Sequence, residues 1–528
     1  MAERKRTAGD SGYSEDDRHQ DTQVLHGMGY AQELERRMSK FSNFAISFSI
    51  ICILSGGIKS LGQATAGAGG AAIGIGWPVG VLISGVFALG LAQISSAYPT
   101  AGGLYHWGSI LGNRFTGWLS AWLNLLGLVT VLGAINVGTY YFVFGAFGDR
   151  LGLEDDTTTR VVFMALITGA QALINHFGIG LTARLTDISG YLIFATAIAL
   201  TIVCLVAADG LEISRLWTFN DYTGSSEGAS LVWPNSVGIG MAFLLGLLLP
   251  VYTITGYDAS AHTSEETVKA AHNVPSGMVS SVFWSGLAGW IMLCAFVLMI
   301  PDMDAAAAQG FNVFFWAMDE QVGTVVRDVL YALIFVCQFL CGLATVTSVS
   351  RMLFAFSRDD GIPGVSKVLA KVSPKRRTPI ASIWTAAVLA VLFVWFTSAI
   401  TIAGTPAYSI VVSCTVIFLF LSFTLPIALG LVAIGGEKWP HMGPWNMGIG
   451  AYKVVAVLAV LAMALLLFIG VQPPNNYALP ITVGFIVLAL VIWVLFERRR
   501  FQGPPTGDII EAREGAIRAA EEAVGEKG

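Results

Sequence analysis

FAISFSIICILSGGIKS, residues 44–60, and GIGMAFLLGLLLPVYTITGYDASAH, residues 238–262, are apolar runs that break near their middles. The first is interrupted at Ser55-Gly56-Gly57 and the second at Thr255-Gly256, with Asp258 directly after. Each lies in a stretch long enough to span a bilayer, which takes ~20 largely apolar residues. Backbone polar groups cannot stay unpaired in lipid, so a broken span must line a cavity or bind something.

Working outward, twelve runs of this kind are expected, at about 41–66, 77–97, 117–145, 161–177, 185–207, 237–262, 276–300, 324–350, 380–397, 406–433, 452–470 and 480–496. The runs are continuous, unlike the ~10-residue alternating segments of an outer-membrane barrel. The two broken runs are the first and the sixth. That spacing is expected of two five-helix repeats of opposite orientation, each opening with a discontinuous helix.

The charges agree. Of 528 residues 12% are charged, against roughly 25% in an ordinary soluble protein. Fifteen of the 65 charges lie in residues 1–40 and thirteen in 497–528, leaving 37 across the 456 residues between. No polar shell could cover such a core in water. A soluble enzyme, a disulfide scaffold and a nucleic-acid binder are excluded. With twelve spans, 25 of the 30 basic residues fall on the side carrying both chain ends, which is read as cytoplasmic. Arg150, Arg160, Arg215 and Arg327 lie opposite, and Lys59 stays inside a span. Both tails are expected to be solvated, with a short surface helix over 507–523 as the alternative. Residues 1–40 contain no apolar h-region, so no cleaved leader is expected before the first span. The six cysteines all fall within spans and are expected to be free.

The chemistry follows from helix ends. A half-helix beginning at Ser55–Gly57 presents free amides and the positive end of its dipole, and glycines let a carboxylate approach. The unwound end near Thr253 to Thr255 leaves carbonyls free for an ammonium group. Together they suit a zwitterion, although glycines also serve simple close packing. Ionisable groups at bilayer depth are costly and usually functional. Asp258 is the leading candidate for carrying a proton, with a structural acid as the alternative. Lys59 could pair with Asp258, act as a built-in cation, attract a second substrate carboxylate, or snorkel outward. Tyr252 and Tyr257 flank the second break and could close over a substrate. His262, Glu265 and Glu266 are expected at a solvated helix end, with a proton relay as the alternative. No phosphate loop, nucleophile triad or metal constellation is present, and no cofactor is expected.

The segments SSAYPTAGGLYHW (95–107), TGYDASAHTSEET (255–267) and SRMLFAFSRDDGIPG (350–364) resemble the amino acid–polyamine–organocation (APC) superfamily. GYAQELERRMSKFSNFAISFSI (29–50), SCTVIFLFLSFTLPI (413–427), GPWNMGIG (443–450) and PPNNYA (473–478) are similar to its amino acid/choline transporter family, which includes GABA and choline permeases. The resemblance implies an all-α integral membrane fold of twelve helices: two inverted, LeuT-like five-helix repeats plus two more. It implies a tail over 1–40, a transport core over 41–433, two added helices over 434–500 and a tail over 501–528. Ser55, Gly56 and Gly57 match the segment that holds the substrate carboxylate. Tyr252 matches an aromatic gate, and Thr253, Ile254, Thr255 and Gly256 match the carbonyls that hold the amine. Asp258 matches an acid used in gating or proton sensing, and Asn124 a polar substrate contact. Some relatives carry a lysine in the fifth span, but SGYLIFATAIA (189–199) has none. The expected function is proton-coupled import of an amino acid, GABA, choline or polyamine across the plasma membrane by alternating access. Gradient-independent exchange and nutrient sensing remain open.

Overall fold

The computed structural model describes residues 14–152, 154–398, 400–402, 405–473, 475–505 and 508–526. Eleven helices among them are long and apolar enough to cross a membrane. The remaining expected span is the broken sixth, whose apolar part, Ile239–Thr253, is shorter.

The first span consists of Lys40–Ile51 and Gly56–Thr65, separated by four residues. The second runs Gly76–Ala97, the third Arg114–Leu151, the fourth Thr157–His176 and the fifth Ile179–Ala207. The sixth is divided into Ile239–Gly246, Leu248–Thr253 and Ala259–His262. The seventh is Ala270–Met299, the eighth Thr324–Arg358, the ninth Ile380–Ser398 and the tenth Ala407–Ala433. Ile449–Gly470 is the eleventh, and the twelfth begins at Ala478. A two-residue hairpin, Thr401–Ile402 with Thr405–Pro406, joins the ninth and tenth.

Local chemistry starts these helices where the sequence permits. The Asn113 side chain accepts from the Phe115 and Thr116 amides while the Thr116 hydroxyl accepts from the Asn113 amide, so the third span is capped reciprocally. Asp156 caps the fourth by accepting from the Thr159 amide at 2.9 Å.

The packing follows a swap of the first five spans with the second five. The seventh span packs on the second and the eighth on the third. The tenth packs on the third as the fifth packs on the eighth. The fold is therefore two inverted five-helix repeats with two further helices. Its outer surface is apolar, with Ile198, Ile202, Trp395, Leu461 and Val487 exposed, as a lipid-facing surface requires.

Candidate functional site

The two helix breaks meet each other. In the first, Cys52 adopts φ +23° and its carbonyl accepts from the amides of Ser55 (2.8 Å) and Gly56 (3.1 Å). Two of the three expected donors are thus engaged. The amides of Gly57 and Ile58, opening the second half-helix, enter no hydrogen bond among the described residues. In the second, the chain leaves its helix at Thr253 and turns through Gly256 at φ +94°. The carbonyls of Thr253, Ile254 and Thr255 accept no hydrogen bond among the described residues. The Thr255 hydroxyl donates to the Tyr252 carbonyl at 2.8 Å, and Thr253 donates back to Leu249 at 2.8 Å.

A Cβ on Gly56 would fall 3.0 Å from both Oγ1 and Cγ2 of Thr253, and one on Gly256 would meet the Ile50 side chain. Each break's glycine therefore faces the last turn of the other's half-helix. Free amides and free carbonyls are brought to one place.

Asp258 is fully buried directly beyond the second break. Its Oδ2 lies 3.2 Å from the Asn124 amide nitrogen of the third span and 3.3 Å from His262 Nε2. Its Oδ1 has no partner among the described residues. His262 Nδ1 lies 3.2 Å from the Ala101 carbonyl, which can only accept, so that nitrogen carries a hydrogen. A hydrogen bond from Nε2 to Asp258 then needs one more proton, on either the imidazole or the carboxyl. The Tyr257 ring packs 5.3 Å from Phe423 and its buried hydroxyl has no partner among the described residues.

The solvated helix end expected at His262, Glu265 and Glu266 is corrected, because all three are buried. Glu266 accepts from Arg351 at 2.8 and 3.0 Å, and Glu265 accepts from Arg358 at 2.8 and 3.0 Å. Arg351 and Arg358 are seven residues apart, two helical turns, so the eighth span presents both guanidiniums on one face. Burial opposes ionisation of Glu265, yet Arg358 and the Ala101 amide hold its carboxyl below the usual range. Burial raises Glu266 despite Arg351.

Lys59 makes no ion pair with Asp258 or any other described residue. Its aliphatic stem lies over Gly138 of the third span, where an added Cβ would be 3.3 Å from Cδ and 3.5 Å from Nζ. It borders a cavity of about 150 Å³ together with Gln63, Tyr252, Phe311 and Asn475.

Sequence reasoning passed over three groups. Gln338 of the eighth span donates to the Leu54 carbonyl inside the first break at 3.2 Å, and its buried Oε1 has no partner among the described residues. A glutamine in the middle of an apolar run was its signal. Ser422 Oγ lies 3.4 Å from the Asn124 amide nitrogen. A third group closes the face that carries the chain ends. There Asp359 accepts from the hydroxyls of Tyr30 (2.5 Å) and Tyr105 (3.0 Å), and His106 Nε2 contacts Tyr30 at 3.0 Å. Burial opposes the Asp359 charge, but His106, Arg358 and Tyr30 outweigh it and hold the carboxyl below its usual value. Burial lowers His106.

Residues 1–13, 506–507 and 527–528 lie outside the described residues. For the rest of the tails solvation is corrected, and of the two readings of the C-terminal segment the helical one holds, over Asp508–Ala512 and Glu514–Val524. Arg513 Nη1 reaches Asp359 at 3.5 Å. Glu521 accepts from the Gln32 amide at 2.9 Å and contacts His26 at 2.7 Å. Ile517 is buried while Ile509 is exposed. The amphipathic pattern of 508–524 finds a protein surface, which the sequence alone did not identify.

A multi-span helical protein with two broken helices facing each other is a membrane transporter of the inverted-repeat kind. The crystal structure of MhsT in complex with L-phenylalanine matches with a TM-score of 0.52, covering 82% of this chain and 99% of that one at 14% identity, a likeness of fold. The amino acid permease family model matches residues 38–496, and the chain belongs to that family, within the APC superfamily. It is 30% identical to the amino-acid permease BAT1 of Arabidopsis thaliana over 508 residues, covering 91% of this chain and 95% of the relative. It is 28% identical to the GABA-specific permease of Saccharomyces cerevisiae, covering 92% and 86%.

Proposed function

We propose that this permease imports an amino acid or related small amine across the plasma membrane, driven by a proton gradient, by alternating access around the two helix breaks. One observation carries the reading. Asp258 is buried beside the breaks, its Oδ1 without a partner among the described residues and its Oδ2 against Asn124 and against a histidine whose contact needs a proton. The amides of Gly57 and Ile58, with Ser55 and Gly56 shaping their approach, receive the substrate carboxylate. The carbonyls of Thr253 to Thr255, in the turn that Gly256 makes, receive the amine, and Tyr252 closes the cavity side. Asp258 and His262 share the coupling proton. A relative named a GABA-specific permease supports small amino acids of that kind; choline and polyamines belong to the same class of candidates. Residues 41–433 form the transport core and 434–500 the added pair. The segments 1–40 and 501–528 lie on the cytoplasmic side, where the basic residues gather.

Purified protein in liposomes should take up substrate faster under an inward proton gradient, and Asp258→Asn should abolish that stimulation. Uptake insensitive to both, but accelerated by substrate preloaded inside, would replace proton coupling with exchange.

A further inference from the structure

On the face that carries the chain ends, a pocket of about 440 Å³ opens beside the start of the fifth span, and it is strongly basic. Arg37, Arg184, Lys375 and Arg376 line it, and Glu35 is its one acid. Glu35 is paired with Arg37 at 2.7 Å. Arg376 is held in place, donating to the His176 carbonyl at 3.0 Å with its guanidinium 4.8 Å over the Phe177 ring. Arg184 and Lys375 are exposed and form no ion pair among the described residues. Four cations from three separate segments therefore converge on one cavity with a net charge of three. Such convergence is electrostatically unfavourable unless an anion relieves it.

What lies next to the pocket selects the anion. Leu181, Arg184, Ile188, Tyr191, Ile198 and Ile202 follow helical spacing along the fifth span, and every one is exposed. Apart from Arg184 this stripe is apolar or aromatic and continues down a transmembrane helix, so it faces hydrocarbon. Phe177 at the pocket rim is 55% exposed. A free phosphate would use the cations and ignore the stripe. A phospholipid would use both, with its headgroup in the basic pocket and its acyl chains along the stripe.

We propose that this pocket is a binding site for the phosphate-bearing headgroup of an anionic phospholipid, read by Arg37, Arg184, Lys375 and Arg376. Basic pockets between transmembrane helices at the membrane surface are suited to such headgroups. The guanidinium of Arg184 provides planar, two-pronged recognition of phosphate oxygens, while Lys375 adds a point charge. Arg376 and Phe177 form the wall at the lipid boundary. The site lies away from the helix breaks and does not depend on which substrate is carried.

The test is retention of phosphatidylglycerol against phosphatidylcholine by the detergent-purified protein, measured by native mass spectrometry. The wild type should keep phosphatidylglycerol selectively, and millimolar inorganic phosphate should not displace it. The double variant Arg184→Gln, Lys375→Gln should weaken retention on the order of tenfold or more, since two of four surface cations are lost. The control Lys367→Gln, Lys371→Gln removes equal charge from the same face outside the pocket and should leave retention unchanged. All four side chains are exposed, so the variants should fold, with thermal melting as the check. Equal retention of the two lipids, equal loss in the control pair, or displacement by inorganic phosphate would each overturn the proposal.

Discussion

Gly56 lies directly against Thr253, so close that a methyl group on the glycine would stand 3.0 Å from the threonine Oγ1 and Cγ2 and 3.1 Å from its Cα. The contact joins the two broken helices at the level of their unpaired backbone groups. Gly56→Ala must push the end of the sixth-span helix Leu248–Thr253 away or shift the half-helix that begins at Gly56. Transport by reconstituted Gly56→Ala should fall at least tenfold while the protein still purifies as a monodisperse species. Normal uptake by this variant would show that the spacing of the breaks is not critical.

Gly256 has a different constraint, a left-handed backbone at φ +94° packed on Ile50. An L-residue in left-handed backbone costs roughly 1–2 kcal/mol before any clash. Gly256→Ala should therefore lower the melting temperature as well as transport, whereas Gly56→Ala should act mainly on transport. Thermal melting of the two purified variants separates them.

His262 is expected to act through Asp258. Replacing it with glutamine keeps a polar group near Asp258 Oδ2 but removes the group that can hold a second proton. The dependence of uptake on external pH should flatten in His262→Gln, with substrate affinity changed less than the maximal rate. An unaltered pH profile would exclude the histidine from proton handling.

Lys59, on the cavity wall with its stem on Gly138 and no ion pair among the described residues, points to a substrate or entering anion with a carboxylate for it to meet. Lys59→Met should selectively reduce uptake of acidic or carboxylate-bearing substrates while sparing amines that lack one. Gly138→Ala should press on the same side chain and produce a weaker form of that defect. Identical selectivity in wild type and Lys59→Met would leave the lysine a packing role.

The buried pair Arg351–Glu266 should dominate stability at the closed face. Removing one partner strands a buried charge, at a cost of about 3–5 kcal/mol. Arg351→Met should be more damaging to melting temperature than the double variant Arg351→Met, Glu266→Gln. Additive effects would mean the two side chains are not coupled.

Acid should loosen the cluster around Asp359. The Asp359 and Glu265 carboxyls titrate below their ordinary values of 3.8 and 4.5, so their stabilisation is present above those values and is lost as pH falls through the folded ones. His106 titrates below 6.5, so it also costs stability as pH drops beneath that value. The wild type should lose more melting temperature than Asp359→Asn as pH falls from about 4.5 to about 2.5, the window in which the Asp359 carboxylate is protonated. A parallel loss in both would remove Asp359 as a source of acid sensitivity.

Much of this was legible before any coordinates, and the reason is locality. A run of twenty apolar residues must span or be buried, and glycines and an acid in its middle must interrupt it, whatever the rest of the chain does. The spans, the two breaks and the side on which basic residues gather follow from residues near one another in sequence. Asp258 stood out because nothing adjacent could neutralise it.

Only the tertiary structure decided which charges are buried and with what. His262, Glu265 and Glu266 look like a polar helix end in sequence, but their partners Ala101, Arg358 and Arg351 lie far away along the chain. Lys59 looked able to reach Asp258, yet it lies over Gly138 instead. The terminal segment could have been a solvated tail or a surface helix; the contacts of Arg513 with Asp359 and of Glu521 with Gln32 dock it on the protein. Hydropathy acts on each segment alone, whereas ion pairing and close packing join segments hundreds of residues apart, and only folding chooses those pairs.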